Sequence, residues 1–107
     1  MIVDKYILFW DGAVARVSQR FGIPTLSRSQ LFCLYVVKRS HLPPSATFVI
    51  RRARAAGYPV SSRTIYLCLA ELVGYGLLSL TDGRYSITPT GREFINAIRR
   101  YLLNKRL

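Results

Sequence analysis

Along this chain the spacing of apolar residues switches once from helical to extended and back, and that switch limits the fold to a mainly α body carrying a small β-hairpin. Val3, Ile7, Trp10, Val14, Val17 and Phe21 recur in steps of four and three, the stripe of an N-terminal helix over about 2–21. Tyr6, Leu8 and Phe9 widen this stripe beyond what one core-facing side needs, an excess that either the chain's own core or a second copy would cover. Gly22 and Pro24 break the helix. Ser27, followed three residues later by Gln30, forms a capping box that opens a second helix to about Arg39. Leu31, Leu34, Tyr35 and Lys38 give it helical spacing, and Phe32, Val36 and Val37 make it apolar on most sides, so a central, largely buried position is expected.

Leu42-Pro43-Pro44 is a loop, and Ser45 caps a short third helix over about Ala46 to Ala56. Its inner face is Val49, Ile50 and Ala53; its other face is Arg51, Arg52 and Arg54. After the turn Gly57-Tyr58-Pro59-Val60, Ser61 or Ser62 caps a fourth helix with Ile65, Leu69, Leu72 and Val73 turned inward, ending near Tyr75 with Gly76 closing it. The period then becomes two. Leu78 and Leu80 precede Asp82-Gly83, and Tyr85 and Ile87 follow it, the pattern of a hairpin with a two-residue type I′ turn. Thr90 and Glu93 form a second capping box, and Phe94, Ile98, Tyr101 and Leu102 continue as an amphipathic helix over about 90–104. At 107 residues, positions 1–107 are expected to form one domain.

Several function classes fall away. The longest stretch without Lys, Arg, Asp or Glu is Ser40 to Ile50, too short to span a bilayer, and Met1 to Lys5 lacks the features of a signal peptide; a cytoplasmic protein is expected. The acids Asp4, Asp11, Glu71, Asp82 and Glu93 include no close pair, His41 is the single histidine, and there is no glycine-rich phosphate loop, so neither catalysis nor a cofactor is expected. With two cysteines and one histidine there is no ligand set for a structural metal. Cys33 and Cys68 lie in apolar helical segments and read as reduced core thiols, with a redox-sensing pair as the alternative.

Charge gives the strongest functional signal. Sixteen Lys plus Arg against five Asp plus Glu leave a formal charge of +11, and thirteen of the cations are Arg. Between Asp11 and Glu71 there is no acid, while Arg16, Arg20, Arg28, Lys38, Arg39, Arg51, Arg52, Arg54 and Arg63 fall in that interval. An ordinary solvated surface mixes both signs. A segment cleared of carboxylates suits contact with phosphates, whose neutralisation releases condensed counterions.

The order helix, helix, short helix, turn, helix, hairpin, helix is that of a helix-turn-helix with a wing. Leu26-Ser27-Arg28-Ser29-Gln30-Leu31-Phe32, Ser61-Ser62-Arg63-Thr64-Ile65-Tyr66, and Gly76-Leu77-Leu78 leading to Ile87-Thr88-Pro89-Thr90-Gly91-Arg92-Glu93 carry a resemblance covering about two thirds of the chain. This stretch resembles the winged helix-turn-helix domain of bacterial transcriptional regulators, and looks most like the MarR and PadR groups. Its Asp82-Gly83-Arg84 tip is similar to the Asp-x-Arg of the MarR wing but shorter, and only one helix follows it.

The resemblance implies a regulator that binds double-stranded DNA, the fourth helix, about 61–75, in the major groove and the hairpin, about 78–88, at the minor groove. Within the fourth helix Ile65, Cys68, Leu69 and Leu72 point inward, leaving Ser62, Arg63, Tyr66, Leu67 and Ala70 outside. Arg63 is a candidate for guanine or for a phosphate; Ser61, Ser62, Thr64 and Tyr66 for phosphates or base edges. Arg84 matches the family's wing arginine, and Arg51, Arg52, Arg54 and Arg28 are candidate backbone contacts. A homodimer is expected, joined through Val3, Ile7, Trp10, Val14, Val17, Ile98, Tyr101 and Leu102. The alternatives are a winged-helix module that binds a protein partner, or a binder of structured RNA.

Overall fold

The computed structural model describes residues 12–106, in which five helices and a two-stranded antiparallel hairpin follow one another. They are α1 (12–20), α2 (Arg28–Arg39), α3 (Ala46–Ala55), α4 (Ser62–Gly74), β1 (Leu78–Thr81), β2 (Arg84–Ile87) and α5 (Pro89–Arg106). The chain divides into two compact units, one from the described residues up to Leu26 together with Glu93 onward, the other from Ser27–Arg92. Among the described residues no helix is long and apolar enough to cross a membrane.

In the Ser27–Arg92 unit, serine caps set where helices begin. The Ser27 hydroxyl accepts from the Gln30 amide while the Gln30 side chain accepts from the Ser27 amide, completing the expected box. Ser45 and Ser61 cap α3 and α4 in the same way, accepting from Phe48 and Thr64. Helix α2 packs chiefly on α4, and α3 lies against both. Leu34, Val37, Val49, Ala53, Ile65, Leu69, Leu72 and Leu77 are buried, and removing that much apolar surface from water is the main stabilising term. Gln30 bridges α2 to α4, its Nε2 donating to Glu71 Oε1 at 3.2 Å.

The hairpin pairs Leu78 with Ile87 and Leu80 with Tyr85. Asp82 and Gly83 both have positive φ, 51° and 72°, as a type I′ turn requires. Its apolar face is covered unevenly: Leu78 and Tyr85 are buried, whereas Leu80, near the tip, is 50% exposed. The free edge of β2 meets the loop before α3, where the Tyr85 amide donates to the Pro44 carbonyl at 2.8 Å. Prolines accept but cannot donate, so Pro43 and Pro44 cannot continue the ladder as a third strand.

Helix α5 begins one residue earlier than expected, and the Thr90–Glu93 box is not its cap. Thr88 takes that place: its hydroxyl accepts from the Gly91 amide at 2.9 Å and donates to the Gly76 carbonyl at 2.6 Å. Pro89 follows as the first helical residue, where its fixed φ and missing N–H are both suited. Gly91 is obligatory here, since a Cβ would collide with the Leu77 carbonyl and come within 2.9 Å of Ile87 Cγ1.

In the other unit, Ala13, Val14, Val17 and Ser18 on α1 and Phe94, Ile95, Ala97 and Ile98 on α5 are buried. Phe21 meets Phe94 edge-on with ring centroids 5.2 Å apart, and the buried Ser18 hydroxyl accepts from the Leu26 amide. Three residues expected at a dimer surface, Val14, Val17 and Ile98, are therefore core residues of the single chain, and their side chains have no area left for a second copy. Tyr101 and Leu102 are half-buried, and Leu103 is 58% exposed. Val3, Ile7 and Trp10, and the Tyr6, Leu8 and Phe9 beside them, lie outside the described residues.

Candidate nucleic-acid interface

The helix-turn-helix is α3, the turn over 56–61 and α4. Tyr58 anchors the turn: its amide donates to the Ala53 carbonyl, and its ring stacks on Phe32 of α2, centroids 4.8 Å apart and planes 14° from parallel. Ser61 then starts α4, its hydroxyl accepting from the Thr64 amide at 3.1 Å and lying 3.0 Å from the Thr64 hydroxyl. The Ser61 and Thr64 side chains are thus engaged in the cap. The first turns of α2, α3 and α4 contain no acid, so nothing within them offsets the positive end of each helix dipole.

Beyond the cap, α4 has two distinct sides. Ile65, Cys68, Leu69 and Leu72 are buried, whereas Arg63, Tyr66, Leu67 and Ala70 are exposed on the opposite side, at the i, i+3, i+4, i+7 spacing of one helical face. The Arg63 guanidinium has no partner among the described residues. The half-buried Ser62 accepts from Arg54 Nη2 at 3.3 Å, which brings a cation of α3 against the opening turn of α4. Burial, and then the Tyr66 hydroxyl, push the Tyr85 hydroxyl above the ordinary tyrosine range, and α4 packs against β1 of the hairpin.

Arg51, Arg52 and Arg54 are all exposed but do not act as one group. Arg54 reaches Ser62, while Arg52 lines a cleft of about 690 Å³ together with Arg39, Arg84 and the rings of Phe32, Tyr35 and Phe48. Residues two apart on a helix point in different directions, so Arg52 and Arg54 serve two places. Arg84 is exposed and tethered, its Nη1 donating to the Pro43 carbonyl at 3.2 Å. Arg28 is exposed at the start of α2.

The involvement of Arg39, the tie between Arg84 and the proline loop, and the Gln30–Glu71 bond were not apparent from the sequence. The last two join residues 41 apart, beyond the reach of any local pattern.

Cys33 and Cys68 are both buried and carry free thiols. Burial, and then the adjacent Cys68, push the Cys33 thiol up to about 12; Cys68 is raised by burial and then by Glu71. Both thiols stay protonated near neutrality, which opposes thiolate chemistry. His41 is exposed in the loop after α2. Among the described residues no group of His, Cys, Asp or Glu could hold a metal ion.

The sequence matches no protein-family model and no curated protein. The fold has solved counterparts. A MarR family transcriptional regulator from Streptomyces coelicolor superposes with a TM-score of 0.64 at 21% identity, over 95% of this chain and 70% of its own. A MarR family transcriptional regulator from Rhodococcus sp. RHA1 superposes with a TM-score of 0.62 at 18% identity, over 94% and 70%. Together with the order of elements and the paired hairpin, these likenesses establish that the chain has the winged helix-turn-helix fold found in MarR family regulators.

Proposed function

We propose that this protein binds double-stranded DNA and regulates transcription, with the outer face of α4 in the major groove and the hairpin along the neighbouring backbone and minor groove. The observation that carries the reading is the opening of α4: an acid-free helix N-terminus presenting an exposed Arg63 with no partner among the described residues, and Arg54 drawn against Ser62 beside it. A helix N-terminus flanked by guanidiniums is suited to phosphate, and the fork of Arg63 is suited to guanine. The fold shared with MarR family transcriptional regulators supports the same reading.

We read the protein as a homodimer acting as a repressor in the cytoplasm, with 1–107 as one DNA-binding domain. Because Val14, Val17 and Ile98 are already covered, a second copy would meet the exposed Leu103 and the half-buried Tyr101 and Leu102. In such a dimer two copies of α4 stand about 34 Å apart and the operator is an inverted repeat; sedimentation at micromolar concentration tests it, and a monomeric mass removes it.

The decisive experiment is a salt titration of binding to duplex DNA. Contact with about 6 to 10 phosphates gives a log–log slope of about 0.9 per contact. No retention of random duplex at low salt favours a protein-binding module, and displacement by structured RNA but not by duplex favours an RNA binder.

A further inference from the structure

The exposed face of α4 has a restricted chemistry. Through its first three turns it offers Arg63, Tyr66, Leu67 and Ala70, with Leu67 at 55% and Tyr66 at 51% exposure. No Asn, Gln or Lys occurs anywhere in α4, so the bidentate partner that adenine prefers is missing. Glu71, which could accept from cytosine, is held toward α2 by the Gln30 side-chain amide, which donates to its Oε1 at 3.2 Å. What remains is the Arg63 guanidinium, the Tyr66 phenol and a contiguous strip of aliphatic surface formed by Leu67 and Ala70. A single exposed leucine is ordinary. Here, however, Leu67 sits between Arg63 and Ala70 on the one face opposite the buried Ile65, Cys68, Leu69 and Leu72.

In the major groove the one apolar feature of any base is the C5-methyl group of thymine. We infer that Leu67 and Ala70 select thymine by covering its methyl group, while Arg63 selects guanine, so this face distinguishes guanine and thymine positions. The inference rests on the proposed placement of α4 in the major groove. It makes Leu67 a specificity-determining residue and Arg63 the residue that supplies most of the affinity on this face.

The test starts from the duplex that the full chain selects out of a random pool. Each thymine is replaced in turn by deoxyuridine, which removes only the methyl group. At one or two positions the replacement weakens binding about threefold to fivefold, the value of one buried methyl, and elsewhere it changes nothing. In Leu67→Ala, whose substituted side chain is exposed, the duplex is still bound and one of those uracil penalties disappears. Leu67→Gln, which supplies the missing amide, shifts the selected base at that position toward adenine. Indifference to uracil at every position, a pool that yields no preferred sequence, or uracil penalties left unchanged in Leu67→Ala overturns the inference while leaving salt-dependent duplex binding intact. Loss of duplex binding at low salt in the unaltered chain overturns the underlying reading as well.

Discussion

The opening of α4 and the tip of the hairpin each present one candidate arginine, and the two are held very differently. Arg63 follows a helix cap built from adjacent residues and projects without a partner among the described residues; Arg84 is bound to the carbonyl of Pro43, 41 residues away. The first is available to a ligand as it stands. The second must give up a hydrogen bond before it can make a new one. The helix therefore supplies a preorganised contact and the hairpin an exchangeable one, so binding energy should be concentrated on α4.

The largest expected effect tests whether α4 owes its position to its inner face. Leu69→Ala should lower stability by about 2 to 5 kcal/mol, because it leaves a cavity beneath the helix, and urea unfolding measures it. Arg63→Ala should weaken duplex binding by about 1 to 3 kcal/mol with unchanged stability; an equal loss on every sequence would assign it to the phosphate backbone, and a loss at one base position to readout.

The buried thiol gives a pH-dependent check on the same core. Below the ordinary value of 9.0 Cys33 is protonated both folded and unfolded; between there and about 12 only the unfolded thiol ionises. Its folded pKa is raised, so the stability it contributes is complete below 9.0 and is lost as pH rises, by about 1.4 kcal/mol per pH unit. Urea titrations between pH 8 and 10 should show a shallower decline in Cys33→Val than in the native chain.

Smaller effects separate the two arginine settings further. Ser61→Ala should lower stability by about 1 kcal/mol through loss of the α4 cap. Arg84→Ala should change stability by only about 0.5 kcal/mol, as befits one exposed hydrogen bond, and should reduce duplex affinity less than Arg63→Ala does. The reverse order of affinities would make the hairpin, not α4, the principal contact.

What could be read from the sequence follows the same division between local and distant causes. Ser27 with Gln30, Ser45, Ser61 and Asp82-Gly83 each act over two or three residues, so the helix starts and the hairpin turn were legible, as was the outward face of α4. Thr90 was the wrong cap because threonines flank Pro89 on both sides; the preference of proline for the first helical position points to Thr88. Apolar spacing identified Val14, Val17 and Ile98 as needing cover, but spacing cannot tell whether the cover comes from the same chain. The arginine triplet was recognisable as exposed, and the parting of Arg54 toward Ser62 from Arg52 toward the cleft depends on neighbours that only the folded chain brings near. The proline loop's tie to β2 left no local trace at all.

Thr88 has a consequence for how such a protein can change. Its hydroxyl bonded to the Gly76 carbonyl, and its amide bonded to the Leu77 carbonyl at 3.1 Å, clasp the two ends of the hairpin at its root. Residues inserted at the tip would then project outward without disturbing either flanking helix, since the clasp fixes where α4 leaves off and α5 starts whatever length of chain lies between. Wing length is in this way uncoupled from the folding of the body, and reach along a groove can be adjusted by lineage or by design as an independent dimension.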